Sequence, residues 1–142
     1  MLVHIKYLVH LLGDMHCPTH VYYYPDNMTL GKFPVKLHGA ETNYHKVWDG
    51  QLLDSRHKFW GFEDYRHALD NYSDEEIARM TEGTPVEWFE ESARRCREIY
   101  DWVKPGDELG QEFYNRYAPF GEYQIVLSGY RLAKVLNALF DR

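Results

Sequence analysis

Cysteine is scarce in this 142-residue sequence, which holds Cys17 and Cys96 and no others. Two cysteines are too few to define a disulfide scaffold, so one bridge and two free thiols both stay open. Cys17 lies among histidines, but no second cysteine is near it in the sequence. This spacing excludes a thiolate-rich zinc site.

Excess positive charge and long apolar runs are also lacking. The net charge is −6, so no global field attracts nucleic acid or an anionic membrane, and phosphate chemistry would need a local positive charge such as a bound metal. No apolar run approaches the roughly 20 residues that cross a bilayer, and the N-terminus has no signal-peptide pattern. The length suits a single domain over residues 1–142.

Apolar spacing and capping residues predict a mostly helical chain. Residues 2–15 are apolar almost all round, which is typical of a buried helix, and a chain that begins inside a helix suggests that something upstream is missing. Residues 21–40 carry several prolines and glycines and read as a long irregular loop with room for a short strand pair. Four further helices are predicted in turn after that loop, from near Thr42 through NYHKVWDGQLLD, over FEDYRHALDN, over DEEIARM and over TPVEWFEESARRCREIYDWV. A last helix is predicted from about residue 119 to residue 140, which gives an all-α fold.

Histidine and aspartate recur at helical spacing in two places. His10 and Asp14 are four residues apart, His45 and Asp49 repeat that spacing, and His20 lies six residues after Asp14. Side chains four apart share one face of a helix, and imidazole and carboxylate are both zinc ligands. Zinc polarises a phosphoryl oxygen and lowers the pKa of bound water towards about 7, so these residues favour a metal-dependent hydrolase. Each of these residues alone would also fit a structural role, as a hydrogen-bonding group in the core or on the surface. That structural role is predicted for the histidines that have no carboxylate at matching spacing, namely His4, His38, His57 and His67.

The same stretches resemble a known family. LVHLLGDMHCPTHV carries His-xxx-Asp-x-His-x-Pro-x-His, and NYHKVWD carries Asn-x-His-x-x-Trp-Asp. Both resemble the S1/P1 nucleases, zinc-dependent phosphodiesterases that degrade single-stranded DNA and RNA, and SGYRLAKVLNALF is similar to that family's last helix. The resemblance implies a phospholipase C/P1 nuclease-like helical domain that lacks its N-terminal helices.

The resemblance also implies which residues of this chain would hold each of the family's three zinc ions. One zinc would be held by His20, His45 and Asp49, so one complete site is expected. A second would take His10 and Asp14 with upstream ligands, and a third would use Asp14 with other upstream groups. Asp14 would therefore bridge two metals and count as the catalytic residue, while His16 and Asn43 would orient ligands without touching metal.

Departures from the family pattern bear on substrate preference. Cys17 stands where the family often has Gln, and the loop reads PDNMTLGKFPVKLHG where Gly-Gly-Asn is common. Trp48 is expected in the core. The tyrosines at positions 22 to 24 are expected to pack, with stacking on nucleobases as the alternative.

Two functions from different classes follow. The first is a zinc-dependent endonuclease or 3′-nucleotidase acting on single-stranded nucleic acid and nucleotides. The second is a truncated, catalytically impaired remnant that binds one zinc. A phospholipase C-like enzyme is disfavoured because it usually has Glu at the position of Asp49. A plain helical interaction module is also disfavoured, because the whole motif match would then have to be chance.

The expected partners and location follow from the same resemblance. A missing N-terminal half, or a second copy, would cover the helix over residues 2–15, which otherwise exposes parts of Leu2, Ile5, Leu8 and Leu12. The family implies a secreted or periplasmic location.

Overall fold

Helices make up most of the computed structural model, which describes residues 2–21 and 31–140. The predicted helical class is confirmed. In chain order the elements are α1 (Leu2–Asp14), β1 (Pro34–Leu37), β2 (Ala40–Asn43), α2 (Tyr44–Lys46), a π-helical segment (Val47–Gln51), α3 (Leu52–Arg56), α4 (Phe62–Leu69), α5 (Asp74–Met80), α6 (Pro85–Arg97), α7 (Ile99–Trp102), β3 (Glu108–Leu109) and α8 (Gln111–Phe140).

Helix α1 packs against α8 through its C-terminal end. Leu12 is 4% exposed, whereas Leu2 is 67% and Leu11 61% exposed. The expected exposure is therefore confirmed at Leu2 and wrong at Leu12, because the end of α1 lies on α8. Ile5 and Leu8 are half-buried, so α1 leaves an apolar outer face in contact with solvent.

Three side chains of α8 fasten the end of α1 and the turn that follows it. The Gln124 amide donates to the His16 carbonyl at 3.1 Å, and the Ser128 hydroxyl donates to the Leu12 carbonyl at 3.3 Å. Arg131 Nη1 lies 3.0 Å from His16 Nε2. The three α8 residues fall on one helical face because they are separated by four and three positions.

A small sheet occupies part of the region predicted as a loop. Strands β1 and β2 form an antiparallel hairpin with Leu37 opposite Ala40. The two turn residues between them, His38 and Gly39, both have positive φ angles, as a type I′ hairpin turn requires. The strand pair expected within residues 21–40 forms, but its second strand extends past that range, from Ala40 to Asn43. The parallel partner β3 was missed, because two residues carry no readable alternation. The tyrosines at 22 to 24 lie outside the described residues.

The helix with His45 and Asp49 starts later and is less regular than predicted. Thr42 belongs to β2, and Asn43 is the N-cap, with its side-chain oxygen accepting from the Lys46 N–H at 2.9 Å. The helix then passes through the π-helical segment and kinks at Gly50. Trp48 is 7% exposed, which confirms that it belongs to the core.

The remaining helices agree with the prediction in kind and differ at their ends. Both capping boxes form, Ser73 with Glu76 and Thr84 with Glu87. The helix predicted over 84 to 103 is divided after Arg97, with α7 following. The predicted start of the last helix at Pro119 is wrong, since α8 begins at Gln111. Proline removes one backbone hydrogen bond, but the apolar residues before it, Phe113, Tyr114 and Ala118, are buried and hold the helix in place.

Candidate metal centre

The first motif is folded by a run of tight turns after α1. The backbone N–H of Cys17 donates to the Asp14 carbonyl at 3.1 Å, and that of His20 donates to the Cys17 carbonyl at 3.0 Å. Pro18 between them is buried. These turns bring His20 back beside Asp14 and towards the π-helical segment that carries Asp49.

Imidazoles and carboxylates alternate along the resulting cluster. His10 Nε2 lies 3.2 Å from Asp14 Oδ2. The other Asp14 oxygen, Oδ1, lies 3.2 Å from His20 Nδ1. His20 Nε2 in turn lies 3.5 Å from Asp49 Oδ1. Four of the five predicted ligands are thus brought together in one chain of contacts.

His45 lies face to face with His20. Their ring centroids are 5.0 Å apart with an interplanar angle of 26°. The backbone N–H of His45 donates to the Gly31 carbonyl at 3.0 Å, which holds the start of α2 against the loop before β1. The structure therefore places His45 next to the cluster, with its ring stacked on a predicted fellow ligand.

Cys17 also lies at the cluster, which the sequence analysis did not expect. Cys17 Sγ, one His20 ring nitrogen and one Asp49 oxygen all lie within 4.8 Å of one another, the metal-compatible group found among the described residues. Both cysteines are free thiols. Burial raises the pKa of the Cys17 thiol, hydrogen bonding at Thr19 opposes the rise, and the charges of Asp49 and Asp14 add to it.

The donor set fits a zinc ion. His20 Nδ1 is buried and makes no hydrogen bond in the described part of the chain, although Asp14 Oδ1 lies 3.2 Å away. The opposite ring nitrogen, Nε2, faces Asp49 and is the one placed to bind an ion with it. Two ligands of one tetrahedral zinc lie about 3.4 Å apart, and the His20 to Asp49 distance is close to that value.

His16 and Asn43 sit outside the cluster and support its frame. His16 is 2% exposed. Its ring bridges two elements, with Nδ1 donating to the Leu12 carbonyl at 2.7 Å and Nε2 accepting from Arg131. Burial lowers the pKa of His16, which agrees with a neutral ring in this arrangement. Asn43 acts through the cap of α2, the helix of His45.

A cleft of about 470 Å³ opens beside the cluster. Its polar lining includes Asp14, Cys17, His20 and Asp49, and the opposite wall is partly apolar. Phosphate chemistry at the cluster would therefore take place in a recess bounded by α3 and α8.

Exposed aromatic side chains lie near this cleft and were not predicted. Phe59 is 90% and Phe62 76% exposed. Trp60 stacks on His57 with ring centroids 3.6 Å apart and contacts Tyr65 at 5.3 Å. Tyr65 lines the cleft, so Trp60 is linked to the cleft through this ring contact.

The histidines without matching carboxylates have separate surroundings. His57 Nε2 lies 2.8 Å from Glu122 Oε1 in a mostly buried pair. His67 Nδ1 lies 2.9 Å from the Glu63 carbonyl of its own helix. His38 stands in the hairpin turn.

Comparison with known proteins agrees with this arrangement. The family model described as S1/P1 Nuclease matches residues 2–141. The chain belongs to the S1/P1 nuclease family. Endonuclease 1 of Arabidopsis thaliana is 28% identical to it over 155 residues, covering 96% of the chain and 49% of the relative. Nuclease S1 of Aspergillus oryzae is 26% identical over 161 residues, covering 95% and 53% respectively.

This S1/P1 nuclease family chain spans about half the length of the curated relatives it matches. The match falls in the C-terminal part of those relatives. Among the described residues, no helix combines the length and the apolar character needed to span a bilayer.

Proposed function

We propose that this chain supplies a zinc site to a nuclease that hydrolyses phosphodiester bonds in single-stranded nucleic acid. The observation that carries the proposal is the approach of His20 Nε2 to Asp49 Oδ1 at 3.5 Å. The two residues come from separate halves of the family motif, and the other ring nitrogen of His20 faces Asp14 at 3.2 Å.

The proposed ligands divide among three zinc positions. His20, His45 and Asp49 would hold one ion, and His10 and Asp14 would contribute to a second. Asp14 would also contribute to a third, and each of its two oxygens lies 3.2 Å from a different histidine. When bound, zinc supplies Lewis acidity towards a phosphoryl oxygen and lowers the pKa of water.

The charge of the chain supports a role for metal in substrate binding. The net charge is −6, and Asp14 and Asp49 add two negative charges at the cleft itself. An anionic phosphodiester would be repelled there unless bound cations reversed the local field. The residues of the chain therefore hold the ions and shape the recess. Trp60, which contacts Tyr65 of the cleft lining, offers a flat surface for unstacked bases.

A second candidate function is a remnant that binds zinc without efficient catalysis. The observation that favours it is the solvent-exposed apolar face of α1. In the remnant, a second copy of the chain would cover α1, whereas the nuclease would take its remaining zinc ligands from another polypeptide. A secreted or periplasmic location, implied by the resemblance, stays a prediction.

Metal content and nuclease activity separate the two functions. We expect about one zinc per purified chain by elemental analysis, lost on dialysis against a chelator and restored by zinc. Cleavage of single-stranded DNA that follows the zinc content supports the nuclease, and zinc without cleavage supports the remnant. Zinc content that is unchanged in Asp49→Asn would contradict both.

A further inference from the structure

We infer that the Cys17 thiolate is a ligand of the zinc ion held by His20 and Asp49. This inference rests on the proposed zinc site and adds a donor that the family motif does not include. Its basis is geometric, since Sγ of Cys17 shares a 4.8 Å cluster with ligand atoms of His20 and Asp49.

The local backbone favours joint ligation by Cys17 and His20. The His20 N–H donates to the Cys17 carbonyl at 3.0 Å, so a single turn sets both side chains. Zinc sites commonly take ligand pairs separated by two to four residues. Pro18, buried inside the turn, fixes one backbone angle and limits the alternatives.

The distances are close to those of a bound ion. Ligand atoms around one tetrahedral zinc lie about 3.3 to 3.6 Å apart, the larger value applying to sulfur pairs. His20 and Asp49 already meet that distance at 3.5 Å. Sulfur lies within 4.8 Å of both, so a side-chain rotation that closes at most about 1 Å completes the set.

Competing contacts of the thiol are weak. In the described structure Cys17 Sγ lies 3.8 Å from the Thr19 hydroxyl oxygen, a long contact even for sulfur. Cys96, by contrast, is fully buried and accepts from the Gln124 amide at 3.5 Å. Cys17 can therefore turn towards a metal, whereas Cys96 is fixed in the core.

Thiolate ligation would change the character of the ion. On binding, the thiol proton leaves to solvent and the sulfur–metal bond forms, so no oxidant or reductant is needed. With one thiolate and one carboxylate the ligands neutralise the dication, which binds it more tightly and reduces its Lewis acidity. Sulfur also occupies a coordination position that water or substrate would otherwise take.

Cobalt substitution tests the inference on the full chain. A thiolate ligand gives Co²⁺ a sulfur-to-metal charge-transfer band in the near ultraviolet, while nitrogen and oxygen ligands give visible bands alone. We expect the ultraviolet band in the unaltered chain and in Cys96→Ala, and its loss in Cys17→Ser and Cys17→Gln, in which the visible bands persist.

The outcomes distinguish this inference from the proposed function. Visible bands without the ultraviolet band in the unaltered chain would overturn thiolate ligation and leave the zinc site standing. Absence of all cobalt bands would overturn both.

A second measurement needs no variant. We expect zinc to slow alkylation of Cys17 by about tenfold or more, with the rate restored by a chelator, because a coordinated thiolate is a poor nucleophile. Peptide mass spectrometry reports Cys17 separately, with buried Cys96 as the internal reference. An unchanged Cys17 rate at saturating zinc would overturn the inference.

Discussion

His20 is the residue where the two halves of the motif meet. Its ring nitrogens face two carboxylates, Asp14 and Asp49, and its ring face stacks on His45. Among the described residues, His20 is the one whose side chain lies next to Asp14, Asp49 and His45 together. Changes at His20 should therefore disturb the whole cluster.

Replacing His20 tests the centre directly. We expect His20→Gln to lower zinc affinity by at least about 100-fold, since removal of a supporting group alone costs up to that much. Competition with a chromophoric chelator measures the affinity. His4→Gln, an exposed histidine on the same chain segment, is the matched control and should bind zinc normally. Equal affinity for the two variants would remove His20 from the ligand set.

The histidines and aspartates of the cluster could be predicted at this scale, but Cys17 could not. Spacing along a helix indicates which residues share a face, and that was enough for His10 with Asp14. Cys17 was judged against nearby cysteines alone, whereas its proposed partner Asp49 is distant in sequence and approaches through the fold. Likewise, nothing local pairs His16 with Arg131.

Among the elements, the short α2 helix links backbone structure to the metal centre. Asn43 caps it, and His45 is its second residue. We expect Asn43→Ala to lower the free energy of unfolding by about 1 kcal/mol. The same variant should also bind zinc more weakly, because the cap would no longer fix the first turn of α2, which carries His45. Denaturant titrations with and without zinc measure both effects, and Asn43→Ser, which keeps a capping oxygen, should restore them.

The contact between α6 and α8 has a pH-dependent stability. Burial raises the pKa of Glu91, but the hydrogen bonds and charges of Arg131 and Arg95 outweigh it and leave the pKa below its usual 4.5. A carboxylate with a depressed folded-state pKa binds fewer protons when folded. Its stabilisation is therefore complete above about 4.5 and is lost as pH falls through the lower, folded value.

Glu91→Gln should show this dependence. We expect it to lower the free energy of unfolding by about 2 kcal/mol at pH 7, because Arg131 is buried and loses its charged partner. The difference from the unaltered chain should shrink below pH 4. Urea titrations across this range measure it, with Glu90→Gln, a more exposed neighbour, as control. A difference that does not change with pH would contradict the assignment.

Element boundaries show how far local patterns reach. Ser73 and Thr84 indicate the starts of α5 and α6 in the sequence because capping is a local interaction, and both starts were predicted. The π-helical segment, the kink at Gly50 and the pairing of β3 depend on tertiary packing, so the sequence carries no short-range signal for them. The predicted start of α8 at Pro119 was wrong for the same reason, since tertiary packing holds the residues before this proline in the helix.

At the scale of the whole molecule, the outer face of α1 is an apolar surface that no described residue covers. Leu2, Val3, Tyr7 and Leu11 are each more than 60% exposed. Such contiguous apolar surface is typical of an interface.

Self-association tests that surface. We expect the chain alone to form concentration-dependent dimers in sedimentation velocity, and Leu11→Glu to shift the equilibrium towards monomer by about tenfold or more. Leu139→Glu, equally exposed near the end of α8, should leave the equilibrium unchanged. A monomer at all concentrations, with zinc bound, would contradict an interface between copies.

Truncation from the C-terminus is limited by the three α8 residues that hold α1 in place, Gln124, Ser128 and Arg131. Those three residues bind no metal, yet they secure the end of the helix from which His10 and Asp14 project. A fragment that stops before position 124 would retain every proposed ligand and still release that anchorage. Removing the last few residues, by contrast, would spare it.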